Sequence, residues 1–133
     1  MEKPDKASAL ILEKEDRIAH ALSEVLRDNS YSVIPMRQDE DLFQFLEDHS
    51  AALALIGESE EGDTVFSTMK RLVMTAPMTA IILITNRPEE EVTELAEGYG
   101  ILGHVGRDQP AEDLVPLLER FQEISQSLGP AKT

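Results

Sequence analysis

Five short apolar runs punctuate the chain, each followed by a longer segment with helical spacing, and this alternation restricts the fold more than any other feature. The runs are Ala7–Leu12, Tyr31–Met36, Ala51–Ile56, Thr79–Thr85 and Ile101–Val105. Several are almost continuously apolar, as expected of strands whose two faces are both covered by helices in a parallel sheet. Between them, Ile18, Leu22, Val25 and Leu26 form one helical stripe, and Leu42, Phe43, Phe45 and Leu46 a second. Val65, Phe66, Met69, Leu72 and Val73 make a third. Pro88 suits the first turn of a fourth helix that carries Val92, Leu95 and Ala96, with Gly98 or Gly100 at its end. The last helix is expected from about Pro110 to Leu128, stopped by Gly129-Pro130. Strand–helix repetition with right-handed crossovers predicts an open three-layer α/β sandwich around a five-stranded parallel sheet.

The chain has 133 residues, enough for one domain with its own core. The domain is expected over residues 7–128, with a short charged tail at 1–6 and a tail or the start of a linker at 129–133. The absence of cysteine excludes disulfides, thiolate chemistry and cysteine-ligated zinc. No apolar run approaches the roughly 20 residues that span a bilayer. The first six residues lack the apolar segment of a signal peptide, so neither a membrane nor an export route is expected. A cytoplasmic location follows as the default. With 12 Lys+Arg against 26 Asp+Glu, the formal net charge is −14. Nucleic-acid binding relies on basic groups that neutralise phosphates, so direct nucleic-acid contact is not expected. The acids serve solubility or a basic partner surface.

In sheets of this type ligands gather at the carboxyl ends of the strands. Those ends carry Glu13-Lys14-Glu15-Asp16, Gly57-Glu58-Ser59, Thr85-Asn86 and Gly106-Arg107. The stretch Leu10-Ile11-Leu12-Glu13-Lys14-Glu15-Asp16-Arg17-Ile18 and the run Ile81-Ile82-Leu83-Ile84-Thr85 carry a resemblance, as does Gly100-Ile101-Leu102-Gly103-His104-Val105-Gly106-Arg107 with Glu112-Asp113-Leu114. Over Ala7 to Leu128 the chain resembles the CheY-like receiver domain of two-component response regulators, which has a flavodoxin-like fold.

That resemblance implies a set of site residues, and the sequence departs from it at most of them. The family's acidic pair binds magnesium, and Glu13 and Lys14 stand at those places. Its phosphate-accepting aspartate falls on Gly57. The hydroxyl residue that bonds the phosphoryl group is kept as Thr85, and the corresponding lysine is replaced by Arg107. His104 occupies the aromatic switch position, and Asp108 follows Arg107 where the family has proline.

These departures bear directly on the chemistry. Aspartyl phosphorylation needs a carboxylate nucleophile and a cation against the developing charge. Magnesium is held by oxygens, usually including one or two carboxylates. Gly57 offers no side chain and Lys14 brings an ammonium, so Glu13 with Glu15 makes at best a weak metal site. Neither phosphorylation at Gly57 nor a cofactor is expected. Lys14 is expected to pair internally with Glu13, Glu15 or Glu58 and so replace the missing cation. Thr85 is either a polar strand terminus or part of a switch with His104; His104 is either a half-buried neutral side chain or a pH sensor.

On the last helix Leu114, Leu117, Phe121, Ile124 and Leu128 recur at spacings of three and four. The stripe either packs on the sheet, as the widening by Leu118 suggests, or extends into a dimer seam. The resemblance implies contacts through the fourth helix, fifth strand and last helix, either with a protein partner, an adjoining output or kinase module, or a second copy. Asp39-Glu40-Asp41 and Glu89-Glu90-Glu91 fall at predicted helix starts, where negative charge complements the dipole. No phosphate-binding loop, nucleophile elbow or metal-ligand histidine spacing is present.

The expectation is therefore a non-enzymatic pseudo-receiver that signals by protein contact. Two alternatives stay open. One is a receiver phosphorylated at a displaced acceptor, Glu58 or Asp63, with magnesium. The other is a regulatory domain that binds a small ligand at the strand ends.

Overall fold

The computed structural model describes residues 7–58 and 64–128. Five strands alternate with five helices: β1 (Ala7–Leu12), α1 (Asp16–Asp28), β2 (Tyr31–Met36), α2 (Asp39–Asp48) and β3 (Leu53–Gly57) come first. They are followed by α3 (Thr64–Thr75), β4 (Ala80–Ile84), α4 (Glu89–Tyr99), β5 (Gly103–Val105) and α5 (Pro110–Leu128). All strands are parallel, in the order β2-β1-β3-β4-β5. This is the expected five-stranded flavodoxin-like sandwich. The expected tails at 1–6 and 129–133, and Asp63 with its neighbours in the loop before α3, lie outside the described residues.

The strands read as nearly continuous apolar runs because each face of the sheet has its own core. On one face Leu10, Ala54, Ile56, Ile81 and Leu83 pack with residues of α2, α3 and α4, among them Leu42, Met69 and Val92. On the other, Ile11, Leu53, Leu55, Ile82 and Ile84 pack with Ile18, Leu22 and Leu26 of α1 and Leu114 and Leu118 of α5. Alternate residues of one strand feed opposite layers, as the pleat requires.

Strand limits differ from the sequence expectation by one or two residues. β3 begins at Leu53 and includes Gly57, β4 is trimmed to Ala80–Ile84, and β5 shrinks to three residues. The trimmed flanks keep cross-strand bonds: Thr79 Oγ1 donates to the Ala51 carbonyl (2.8 Å) and Leu102 N–H to that of Ile81 (2.7 Å). Edge position explains Pro35, which lacks a ladder donor and sits on β2, bonded to one neighbour alone. The helix signals hold. Pro88 is the N-cap of α4, and Gly100 closes it in the left-handed conformation (φ 68°).

Candidate functional site

The carboxyl ends of β1, β3, β4 and β5 converge on a cleft of about 1110 Å³ whose walls carry most of the strand-end residues singled out above. At its centre lies Glu13, the first residue after β1, with a side chain only 1% exposed. Its carboxylate is gripped by the Arg107 guanidinium in a two-pronged contact, Nη1 to Oε1 at 3.0 Å and Nη2 to Oε2 at 2.7 Å. Paired N–H donors matched to two carboxylate oxygens make this the strong form of an ion pair. The same guanidinium reaches Glu15 Oε2 at 3.1 Å and the Glu58 carbonyl at 3.5 Å. Glu13, foremost, holds Arg107 above the usual guanidinium range, while desolvation opposes the shift.

Backbone contacts fix where Arg107 starts. Its own N–H donates to Asn86 Oδ1 (2.8 Å), and its carbonyl accepts from Arg17 Nη2 (3.2 Å). The preceding Gly106 N–H donates to Asp113 Oδ2 in the first turn of α5 (2.9 Å). The loop after β5 is thus tied to β4, α1 and α5 together.

Gly57, at the tip of β3, faces this pair. A Cβ placed on Gly57 would stand 2.0 Å from Glu13 Oε1 and 2.9 Å from its Cδ, far inside contact distance. The Glu13 carboxylate fills the space into which a side chain at position 57 would grow.

A second ionic cluster lies on the β4 side. Glu58 follows β3, its N–H bonded to the Ile84 carbonyl (3.0 Å). Its carboxylate accepts from the Thr85 hydroxyl and from Arg87, at 2.7 Å to Nε and 2.6 Å to Nη2. Thr85 is buried, and its oxygen also accepts the Arg87 N–H (3.1 Å). Arg87 continues to Glu91 in α4 (2.9 Å) and lies 5.0 Å from the centroid of the Phe66 ring of α3. The Glu58 contact is the main reason Arg87 is shifted upward.

The strand-end residues therefore do come together, with one correction. Lys14 does not neutralise Glu13, Glu15 or Glu58: it is exposed and makes no ion pair among the described residues. Arginines take all three carboxylates: Arg107, from beyond β5, pairs with Glu13 and Glu15, and Arg87, from beyond β4, with Glu58. Glu58, one residue past Gly57, directs its side chain away from Glu13 and onto Thr85 and Arg87. Arg87 was missed altogether. Its signal was a lone arginine two residues beyond Thr85, just ahead of the Pro88 helix start.

The interface candidates divide between two faces. His104 is half-buried and in register with Leu83, whose side chain joins the α2–α4 core, so the two point to the same layer. Leu117 presses on the opposite face, where a Cβ on Gly103 would meet its Cδ2 at 2.6 Å. Phe121 is half-buried against the same core, and Ile124 is 43% exposed. The stripe on α5 is mostly a packing surface. The side chain of Leu128 lies outside the described set.

The magnesium that the resemblance implies does not fit this arrangement. Both oxygens of Glu13 are taken by a guanidinium, and no group of three or more acidic, histidine or cysteine ligands occurs among the described residues.

The architecture is that of response-regulator receiver domains. The structure is similar to the signal receiver domain of an HD domain-containing protein from Pseudomonas fluorescens Pf-5, with a TM-score of 0.75 and 19% identity over 96% of this chain and 94% of that one. A response regulator from Thermotoga maritima matches with a TM-score of 0.78 and 13% identity, covering 89% of this chain and 98% of that one. The chemotaxis response regulator CheY4 of Vibrio cholerae gives 0.74 and 19%, covering 87% and 98%. No protein-family model and no curated protein matches the sequence. Among the described residues no helix is long and apolar enough to cross a membrane.

Proposed function

We propose that this chain is a receiver-like regulatory domain that works by protein–protein contact without being phosphorylated, and that it is not an enzyme. One observation carries the reading: the place where a side chain at Gly57 would project is filled by the Glu13 carboxylate, itself clamped by Arg107. On the resemblance, Gly57 stands where the accepting aspartate belongs. The site would then lack a nucleophile, and its space would be occupied from the neighbouring strand.

Thr85 supports the same reading. The residue that corresponds to the family's phosphoryl-binding hydroxyl already donates to a carboxylate, Glu58, which Arg87 holds in place. An internal anion stands beside Thr85 without any covalent step. Glu58 is a poor displaced acceptor because both of its oxygens are bonded. Docking is assigned to the rim of α4, β5 and α5, toward a protein partner, an adjoining output or kinase module, or a second copy. The exposed Ile124 and half-buried Phe121 and His104 are its candidates. The cytoplasm is the proposed setting.

A combined experiment tests this. In an NMR titration of the labelled domain with magnesium and beryllofluoride, the Glu13, Gly57 and Thr85 amides should stay still. Intact mass after incubation with acetyl phosphate should show no adduct of about 80 Da. A bait carrying Phe121→Ala with Ile124→Glu should lose the partner that the wild-type bait retains. A phosphoryl adduct, or full retention of that partner by the variant, would sink the reading. The size of the cleft favours one second reading, a small-ligand site, since pockets for such molecules run to roughly 300–1,000 Å³. Saturable amide shifts around the cleft with a single metabolite would support it.

A further inference from the structure

On the resemblance, Glu13 at the end of β1 stands at one of the two places that would hold a free cation, and here Glu13 and Glu15 hold a cation that belongs to the chain. We infer that Arg107 is a tethered substitute for a divalent ion, which makes the loop arrangement of this pocket independent of metal. This rests on the proposed receiver-like reading and adds how its pocket is kept in one state.

The geometry is that of a cation in an oxygen cage. Four oxygens surround the Arg107 guanidinium: Glu13 Oε1 and Oε2, Glu15 Oε2 and the Glu58 carbonyl, at 3.0, 2.7, 3.1 and 3.5 Å. They come from the ends of β1 and β3, and the guanidinium comes from beyond β5. A free divalent ion draws separate strand ends together by ligating oxygens from each; the arginine does the same through directed N–H donors. Glu13 is nearly shut off from solvent, so its charge needs a partner at all times. Arg107 provides one whose local concentration never changes.

Competition follows from the donor set. Magnesium or calcium entering here would need the oxygens that the guanidinium already uses, and would sit beside a fixed positive charge. The Arg107 backbone is held at its N–H by Asn86 and at its carbonyl by Arg17, and its guanidinium by Glu13 and Glu15. Removing the guanidinium leaves the oxygens in place and uncovers a site that the native protein keeps closed.

The test is thermal denaturation at constant ionic strength with and without 10 mM (about a hundredfold excess over a ~0.1 mM site) magnesium or calcium. Wild-type Tm should be unaffected beyond the nonspecific change seen in Glu13→Gln. Arg107→Gln should melt lower, and a divalent cation should return a saturable gain of about 5 °C or more. That gain should vanish in Glu13→Gln/Arg107→Gln. Should Arg107→Gln fail to fold, Arg107→Lys keeps the charge without the fork; it should melt below wild type and remain insensitive to divalent ions. A Glu13-dependent magnesium response in the wild type or in Arg107→Lys overturns the inference, as does a folded Arg107→Gln that no divalent ion stabilises. A protein that docks unphosphorylated yet responds to magnesium would overturn this inference alone, leaving the proposed function intact.

Discussion

At Gly57 a missing side chain is a packing requirement. The usual reason for glycine, a positive φ, does not apply, since among the described residues the only glycine with one is Gly100. What demands glycine is the Glu13 oxygen 2.0 Å from the would-be Cβ. Gly57→Ala should therefore push Glu13 off Arg107 and cost about 1–3 kcal/mol, the range of overpacked interiors. Chemical denaturation checks this; a neutral substitution would show that Glu13 moves at no cost. The identities of Glu13, Gly57, Thr85 and Arg107 as strand-end residues were all readable from the sequence. Their pairing was not, because Glu13 and Arg107 are 94 positions apart and no local spacing links an acid of one strand end to the cation of another.

Among the elements, α5 carries a feature its apolar stripe conceals. Pro116 lies inside the helix, exposed, where it withholds one N–H from the ladder. Pro116→Ala should restore a donor toward the Glu112 carbonyl and raise stability by about 1–3 kcal/mol, readable as an increase in denaturation midpoint. An unchanged midpoint would mean that the helix already bends to accommodate the ring. The stripe of Leu114, Leu117, Phe121 and Ile124 was legible as amphipathic, but spacing alone did not say how far the sheet covers it. Contact with Gly103 assigns Leu117 to packing, whereas Ile124 stays 43% exposed. His104, at the switch position on the resemblance, does not share the face of that stripe: its register with Leu83 points it to the other layer.

For the molecule as a whole, a formal charge of −14 sets the dominant long-range term. Like charges on a compact body repel, while buried pairs such as Glu13–Arg107 are screened far less than exposed ones. Raising sodium chloride from about 0.01 M to about 0.5 M should thus raise Tm, since screening relieves the repulsion more than it weakens the paired core of the site. A fall in Tm would mean that the surface ion pairs outweigh the net repulsion. The fold class, the order of the strands along the chain and the residues at their ends follow from the sequence by itself, because a two-residue pleat and a 3.6-residue turn leave local marks. Only the tertiary structure decided which cation meets which carboxylate. Lys14 stands next to Glu13 in the chain, yet Arg107 and Arg87 neutralise the cleft, because contacts across the sheet depend on which strand ends become neighbours in space.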